Sequence, residues 1–309
     1  YLPSIETRRS AHERLAVYFE LVPLPAQIGA NGPLQSDEQT VSISRALDEE
    51  PWQLQSACRW EALANYLSFL PLFEIACKNG REFEWMQYWQ HILSAVKKGA
   101  LPPVNVGSLY ITGFRQLDPG EKTFLGGTLG QFLYNLDYFD AAQECFAEEG
   151  KEEAFIDDRF LRAGNINDQG LIARDRGYEQ EALKLFEEAT SILEEANSTE
   201  TQQGERKHER RLLASILMNK VSVIRDSANS SQCRFILERA LALMKETTGE
   251  RSPEVATVLQ GMGNLAEMQG DFREALALQI QAHAIRREQL GPEHRDVGLS
   301  LGNTANALA

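Results

Sequence analysis

The sequence predicts an all-α protein: a helical linker unit followed by a right-handed superhelical array of helical hairpins. Three observations predict it. Residues 255–297 read as one unit, in which Val255, Val258, Leu259 and Leu265 recur at the steps of an amphipathic helix. Gly270-Asp271-Phe272 breaks that pattern, and a second helical pattern runs from Glu274 to Ile285. The unit then repeats. Adding 42 to Val255, Leu259 and Asn264 gives Val297, Leu301 and Asn306, and subtracting 42 from Val255, Leu259, Ala282 and Gly291 recovers Leu213, Leu217, Ala240 and Gly249. Finally, Gly263, Ala275 and Ala282 put small residues where two antiparallel helices must touch. A fixed period in this range marks a helical repeat array, whose units bury their apolar faces only against neighbours.

The elements follow in order. Residues 8–20 read as a helix with Ala11, Leu15, Tyr18 and Phe19 on one side, and residues 21–40, rich in Pro, Gly and polar groups, read as a flexible loop. Residues 41–96 form the helical linker unit, with helices expected over 44–49, 52–58, 61–69, 72–78 and 82–96 and with Trp52, Trp60, Trp85 and Trp89 as bulky core. Residues 97–120, with Gly99, Pro102, Pro103, Gly107, Gly113 and Pro119, have the composition of a second linker. The array then occupies 121–309 as about four hairpins and a truncated fifth. Its first hairpin carries Gly130, Ala142 and Phe146; its second carries Gly170, Ala182, Phe186 and Ala189. Asn197–Gly204 is a longer loop between hairpins. The third hairpin is degenerate, with Val221, Ser222 and Ala228 for Gly263, Asn264 and Gly270, and Cys233 at the small site of Ala275. The fourth opens on Ser252-Pro253, an N-cap followed by proline at the first helical position.

Two resemblances have residues behind them. Asn264-Leu-Ala, Leu290-Gly-Pro-Glu-His294 and the 42-residue period resemble tetratricopeptide repeats of the kinesin-light-chain class, closely over 212–309 and loosely over 121–197. The order His12–Phe19, Ala46–Leu54, Cys58–Leu63 and Tyr88-Trp89 is similar to the segment that follows the NTPase core in STAND/NACHT signalling NTPases. That second resemblance implies that residues 1–20 end a winged-helix region, and that an NTPase domain lies upstream on the same chain. It also implies that the repeats sense a ligand, as in an innate-immunity-like sensor. A scaffold or adaptor of ciliary or motor-cargo type, without switching, is the other implied class. The third hairpin departs from the repeat pattern by lacking its glycines, and Ala305 stands where the period places a glycine.

Composition bounds the partners. The formal net charge is −14, which speaks against nucleic acid or an anionic membrane as the main partner. The dense basic run Arg206–Arg211 is either a solvated helix start or a local docking patch. Cys58, Cys77, Cys145 and Cys233 lie far apart inside helical patterns, which fits a reducing, cytoplasmic compartment. The most apolar run, Ala62–Cys77, is interrupted by Asn65, Pro71 and Glu74 and does not predict a membrane span. Tyr1 leads straight into a helix and Ala309 falls inside one, so a piece of a larger protein is expected.

No enzyme is expected from the chain itself. It has no phosphate-binding Gly-x-x-x-x-Gly-Lys-Ser/Thr; Gly126-Gly127-Thr-Leu-Gly130 is read as helix packing. His12 and His208 lack a second His at helical spacing, so no metal site and no cofactor is expected. What the architecture offers is a groove for a protein or peptide ligand, lined by the first helix of each hairpin. Its candidate residues are Gln131, Tyr134 and Asn135, then Asn167, Arg174 and Asp175, then Ser222, Arg225 and Asp226, then Gln260, Asn264 and Glu267, and last Asn306. Asparagine amides there can pair with an extended backbone, and Arg174 with Arg225 would favour an acidic partner.

Overall fold

The computed structural model describes residues 6, 9–15, 37–151, 158–195, 203–224 and 230–306, and among them the regular secondary structure is helical, with no strand. The chain divides into two compact units, Tyr1–Glu149 and Gly150–Ala309.

In the first unit, residues 9–15 are helical, and Tyr18 and Phe19 lie outside the described residues. Helix α1 (Asp37–Ser56) runs unbroken through Pro51, where the sequence suggested two shorter helices. Proline there forfeits one backbone bond, but Leu47 and Leu54 on either side of it are buried and hold the helix in the core. The expected loop over 21–40 therefore overlaps helix at 37–40, and its remainder lies outside the described residues. Helices α2 (Trp60–Leu67), α3 (Leu70–Lys78) and α4 (Glu82–Lys97) follow as expected. Of the four tryptophans only Trp85 and Trp89 are fully buried; Trp52 is exposed, with His12 edge-on at 4.8 Å.

The segment 97–120 is not a plain linker. It holds helix α5 (Val106–Phe114), capped by Asn105, whose side chain accepts from the Ser108 amide at 2.9 Å. Tyr110 and Phe114 are completely buried, because Val106, Tyr110, Ile111 and Phe114 share one face whatever the surrounding Gly and Pro suggest. A buried polar chain ties three helices together. Trp89 Nε1 donates to Tyr110 Oη (3.1 Å), and Tyr110 Oη and Trp85 Nε1 both donate to the carbonyl of Leu67 (2.7 and 3.1 Å). Leu67 ends α2, so its carbonyl is one that the helix leaves unpaired.

Helix α6 (Pro119–Asn135) opens on a capping box between Asp118 and Glu121, and α7 (Phe139–Glu149) completes the first hairpin. This hairpin belongs to the first unit rather than to the array proper. The reason is aromatic packing: Phe132 of α6 meets Phe73 at 4.8 Å and Tyr110 at 5.5 Å between ring centroids.

The second unit contains hairpins α8 (Arg159–Asp175) with α9 (Glu179–Glu195), α10 (Gln203–Ile224) with α11 (Ser230–Thr248), and α12 (Pro253–Met268) with α13 (Phe272–Leu290), then α14 (Arg295–Asn306). One register governs them all. At the close-packing site, a methyl added to Gly130 or Gly170 would lie 2.7 or 2.6 Å from the ring of Phe146 or Phe186. Twelve residues on stand Ala142, Ala182, Cys233 and Ala275, each fully buried. Seven residues on, the chain turns through positive φ at Asp137 (65°), Gly177 (79°) and Gly270 (77°). Ion pairs link successive hairpins, Arg239 to Glu194 (2.6 Å), Arg234 to Glu274 (2.6 Å) and Arg211 to Glu254 (2.8 Å). Leu301, the counterpart of buried Leu259, is exposed on α14.

Ala275→Leu and Ala182→Leu are expected to cost about 1–3 kcal/mol each by overpacking these crossings. Chemical denaturation with unchanged midpoints for both would show the register to be wrong.

Candidate protein-binding surface

The structure sorts the contact residues expected on the first helix of each hairpin into distinct situations. On α6, Gln131 Nε2 donates to Asn135 Oδ1 at 3.3 Å, and Tyr134 rests its ring on Phe139 at 5.8 Å. Asn135 is exposed and the other two are half-buried. These lie in the first unit.

On α8, Asn167 is buried, not surface-facing. Its Oδ1 accepts from Asn219 Nδ2 of α10 at 2.9 Å, and its Nδ2 donates to Asp168 at 3.2 Å, so its amide joins two neighbouring hairpins. Asp168, a residue not singled out from the sequence, is pushed up to about 6 by burial, with the Asn167 hydrogen bond pulling the other way. Arg174 spends its Nε on Asp175 at 2.7 Å, which removes part of the charge expected to attract an acidic partner. On α10, Ser222 Oγ donates back to the Asn219 carbonyl at 2.6 Å, while Arg225 and Asp226 lie outside the described residues.

On α12, Asn264 is exposed and Gln260 and Glu267 are half-exposed. Asn264 is held from beneath by Gln279 of α13, whose Nε2 donates to Asn264 Oδ1 at 2.9 Å and to the Gln260 carbonyl at 3.5 Å. Gln279 itself is buried, and its Oε1 has no hydrogen-bond partner among the described residues. Sixteen residues after the close-packing site, it stands where Phe146, Phe186 and Leu237 stand in the other hairpins. A polar residue in that apolar column was the signal available in the sequence. Asn306 ends α14, and its side chain lies outside the described residues. His283 pairs its Nδ1 with Ser300 Oγ at 2.9 Å.

No group of three or more His, Cys, Asp or Glu side chains is placed to hold a metal ion among the described residues. None of the described helices is long and apolar enough to cross a membrane.

Helical hairpins in one register, with small residues at each crossing, define the class: this is an all-α tetratricopeptide-repeat fold. In agreement, the family described as "Tetratricopeptide repeat" matches residues 212–288. No curated protein matches the chain. Among solved structures, BtubC (BKLC) from P. vanneervenii is 15% identical, with 94% of each chain covered and a TM-score of 0.45. A Rap protein complexed with competence and sporulation factor is 13% identical over 87% of this chain and 71% of that one, at a TM-score of 0.49. A putative kinesin light chain of Podosopora anserina is 15% identical over 78% and 98%, at 0.38.

Proposed function

We propose that the chain is a protein-interaction module that binds an extended segment of a partner along the first helices of its hairpins. The observation that carries this reading is Asn264. It is exposed on α12, and because its oxygen already accepts from Gln279, the donor hydrogens of its amide nitrogen are what it offers to a partner's carbonyls. A buried glutamine with an unpartnered acceptor costs stability, about 1–3 kcal/mol. The hairpin interior gains nothing from it, whereas an oriented surface amide does.

Gln279→Leu, which restores the residue type of Leu237, is therefore expected to leave the melting temperature unchanged or raised while weakening partner binding. A photo-crosslinker at Gln260 tests the site directly in cell extract, against one at exposed Phe235 on α11. Capture from position 260 that Gln279→Leu diminishes supports the reading; equal capture from both positions sinks it.

The finer reading is that the module is the ligand-sensing arm of a STAND-type signalling NTPase. It is supported by the similarity of residues 12–89 to the linker of such proteins. An adaptor that only scaffolds is the second reading, favoured by the kinesin-light-chain-like form of Asn264-Leu-Ala and Leu290–His294. A phosphate-binding loop and a following acidic metal-binding strand upstream of Tyr1 in the parent protein would decide for the sensor.

A further inference from the structure

The first nine residues of α10 carry Arg206, Lys207, His208, Arg210 and Arg211. A helix N-terminus favours negative groups, so helix formation does not call for this cluster. The tertiary structure gathers part of it into one place. A cleft of about 500 Å³ is lined by Lys207, His208 and Arg211 of α10, Thr248 at the end of α11, and Arg251 and Ser252 at the start of α12. Glu254 is the one carboxylate in the lining.

The arginines are braced. Arg211 Nη2 donates to Glu254 at 2.8 Å, and Arg251 pairs through Nη2 with Glu288. Each guanidinium is thereby fixed in orientation, with N–H groups on its other nitrogens left to offer. Lys207 is exposed and carries its charge on a flexible stem. At the floor, Thr248 Oγ1 and Ser252 Oγ lie 2.6 Å apart, and Ser252 caps α12 through the Val255 amide at 3.1 Å. Against Lys207, Arg211 and Arg251 stand Glu254 in the lining and Glu288 behind Arg251, so the cleft keeps a net positive charge of one, carried by exposed Lys207, in a chain of net charge −14.

We propose that this cleft docks the carboxylate side chains of an acidic peptide segment of the partner, a deepening that rests on the protein-interaction reading above. Cations drawn from two successive hairpins, around an open cleft of this size, match several spaced carboxylates on an extended chain rather than one compact anion. Braced guanidinium forks pair with carboxylates in two-pronged fashion. Of the basic run, Lys207, His208 and Arg211 line this cleft, while Arg210 pairs with Glu246 instead.

The test uses the whole 309-residue chain and a fluorescein-labelled peptide of alternating glutamate and glycine, read by fluorescence anisotropy. The peptide is expected to bind, to weaken with added salt, and to lose at least ~10-fold in affinity in the variant Lys207→Gln/Arg251→Gln. Circular dichroism should show the variant's helical content unchanged. A glutamine–glycine peptide should not bind. Undiminished binding to the double variant, or no binding to the wild-type chain, overturns the cleft. Binding of a phosphoserine peptide but not of the glutamate peptide overturns the carboxylate assignment. Crosslinking at position 260 reads the protein-interaction function separately, so either can fail alone.

Discussion

Trp89→Ala is expected to destabilise the first unit by about 3–5 kcal/mol, the range for deleting a fully buried aromatic side chain. Trp89 has no exposed surface, and its indole N–H is spent on Tyr110 Oη, which in turn serves the carbonyl at the end of α2. The substitution opens a cavity and removes one bond of a buried chain that joins α2, α4 and α5. Trp89→Phe separates the two effects, since it keeps most of the ring volume and loses only the donor. Urea denaturation followed by tryptophan-independent circular dichroism reads both. A cost below about 1 kcal/mol for Trp89→Ala would mean that α5 is not part of this core.

Asp168→Asn is expected to stabilise the second unit at neutral pH, and the sign follows from the direction of its shift. The carboxyl is raised from 3.8 to about 6, so the folded chain holds its proton more tightly than the unfolded chain does. Above pH ~6 the folded state carries a desolvated carboxylate, at a cost of order 2–3 kcal/mol by linkage. As pH falls from there toward ~4, protonation relieves that cost and stability rises. Asparagine cannot ionise. The variant should therefore melt higher than wild type at pH ~7.5, and the gap should close toward pH ~4. An equal difference at both pH values would show that the carboxylate is not buried against Asn167.

Asp168 stands beside a junction of two hairpins. It adjoins Asn167, whose amide bridges to Asn219 across fifty-two residues of sequence.

Much of the repeat region was legible in the sequence because helical-hairpin packing is local. Gly130, Gly170 and Gly263 face the residue sixteen positions on, and Ala142, Ala182, Cys233 and Ala275 fall at one fixed offset. Steric demands at that range repeat with the chain, so periodicity alone recovers the fold class, the hairpin register and the buried small residues. Cys233 was correctly read as a packing residue on this basis, and it is fully buried.

What periodicity does not carry is contact between elements with unrelated spacing. Helix α5 was hidden by its glycines and prolines, and only burial of Tyr110 against Trp89 and Phe73 gives it a place. The same aromatic cluster draws the α6–α7 hairpin into the first unit, although its sequence reads as the first repeat. Asn167 looked like a surface amide because its helix position is polar; tertiary packing turned it inward onto Asn219. Gln279 and the cleft around Lys207 and Arg251 depend on side chains from different helices meeting. The sequence by itself determined the fold class, the hairpin register and the small residues at each crossing, since these answer to sterics within one hairpin. Only the tertiary structure decided which polar groups are consumed between helices and which stay exposed, because a hydrogen bond or an ion pair is made by distance in space.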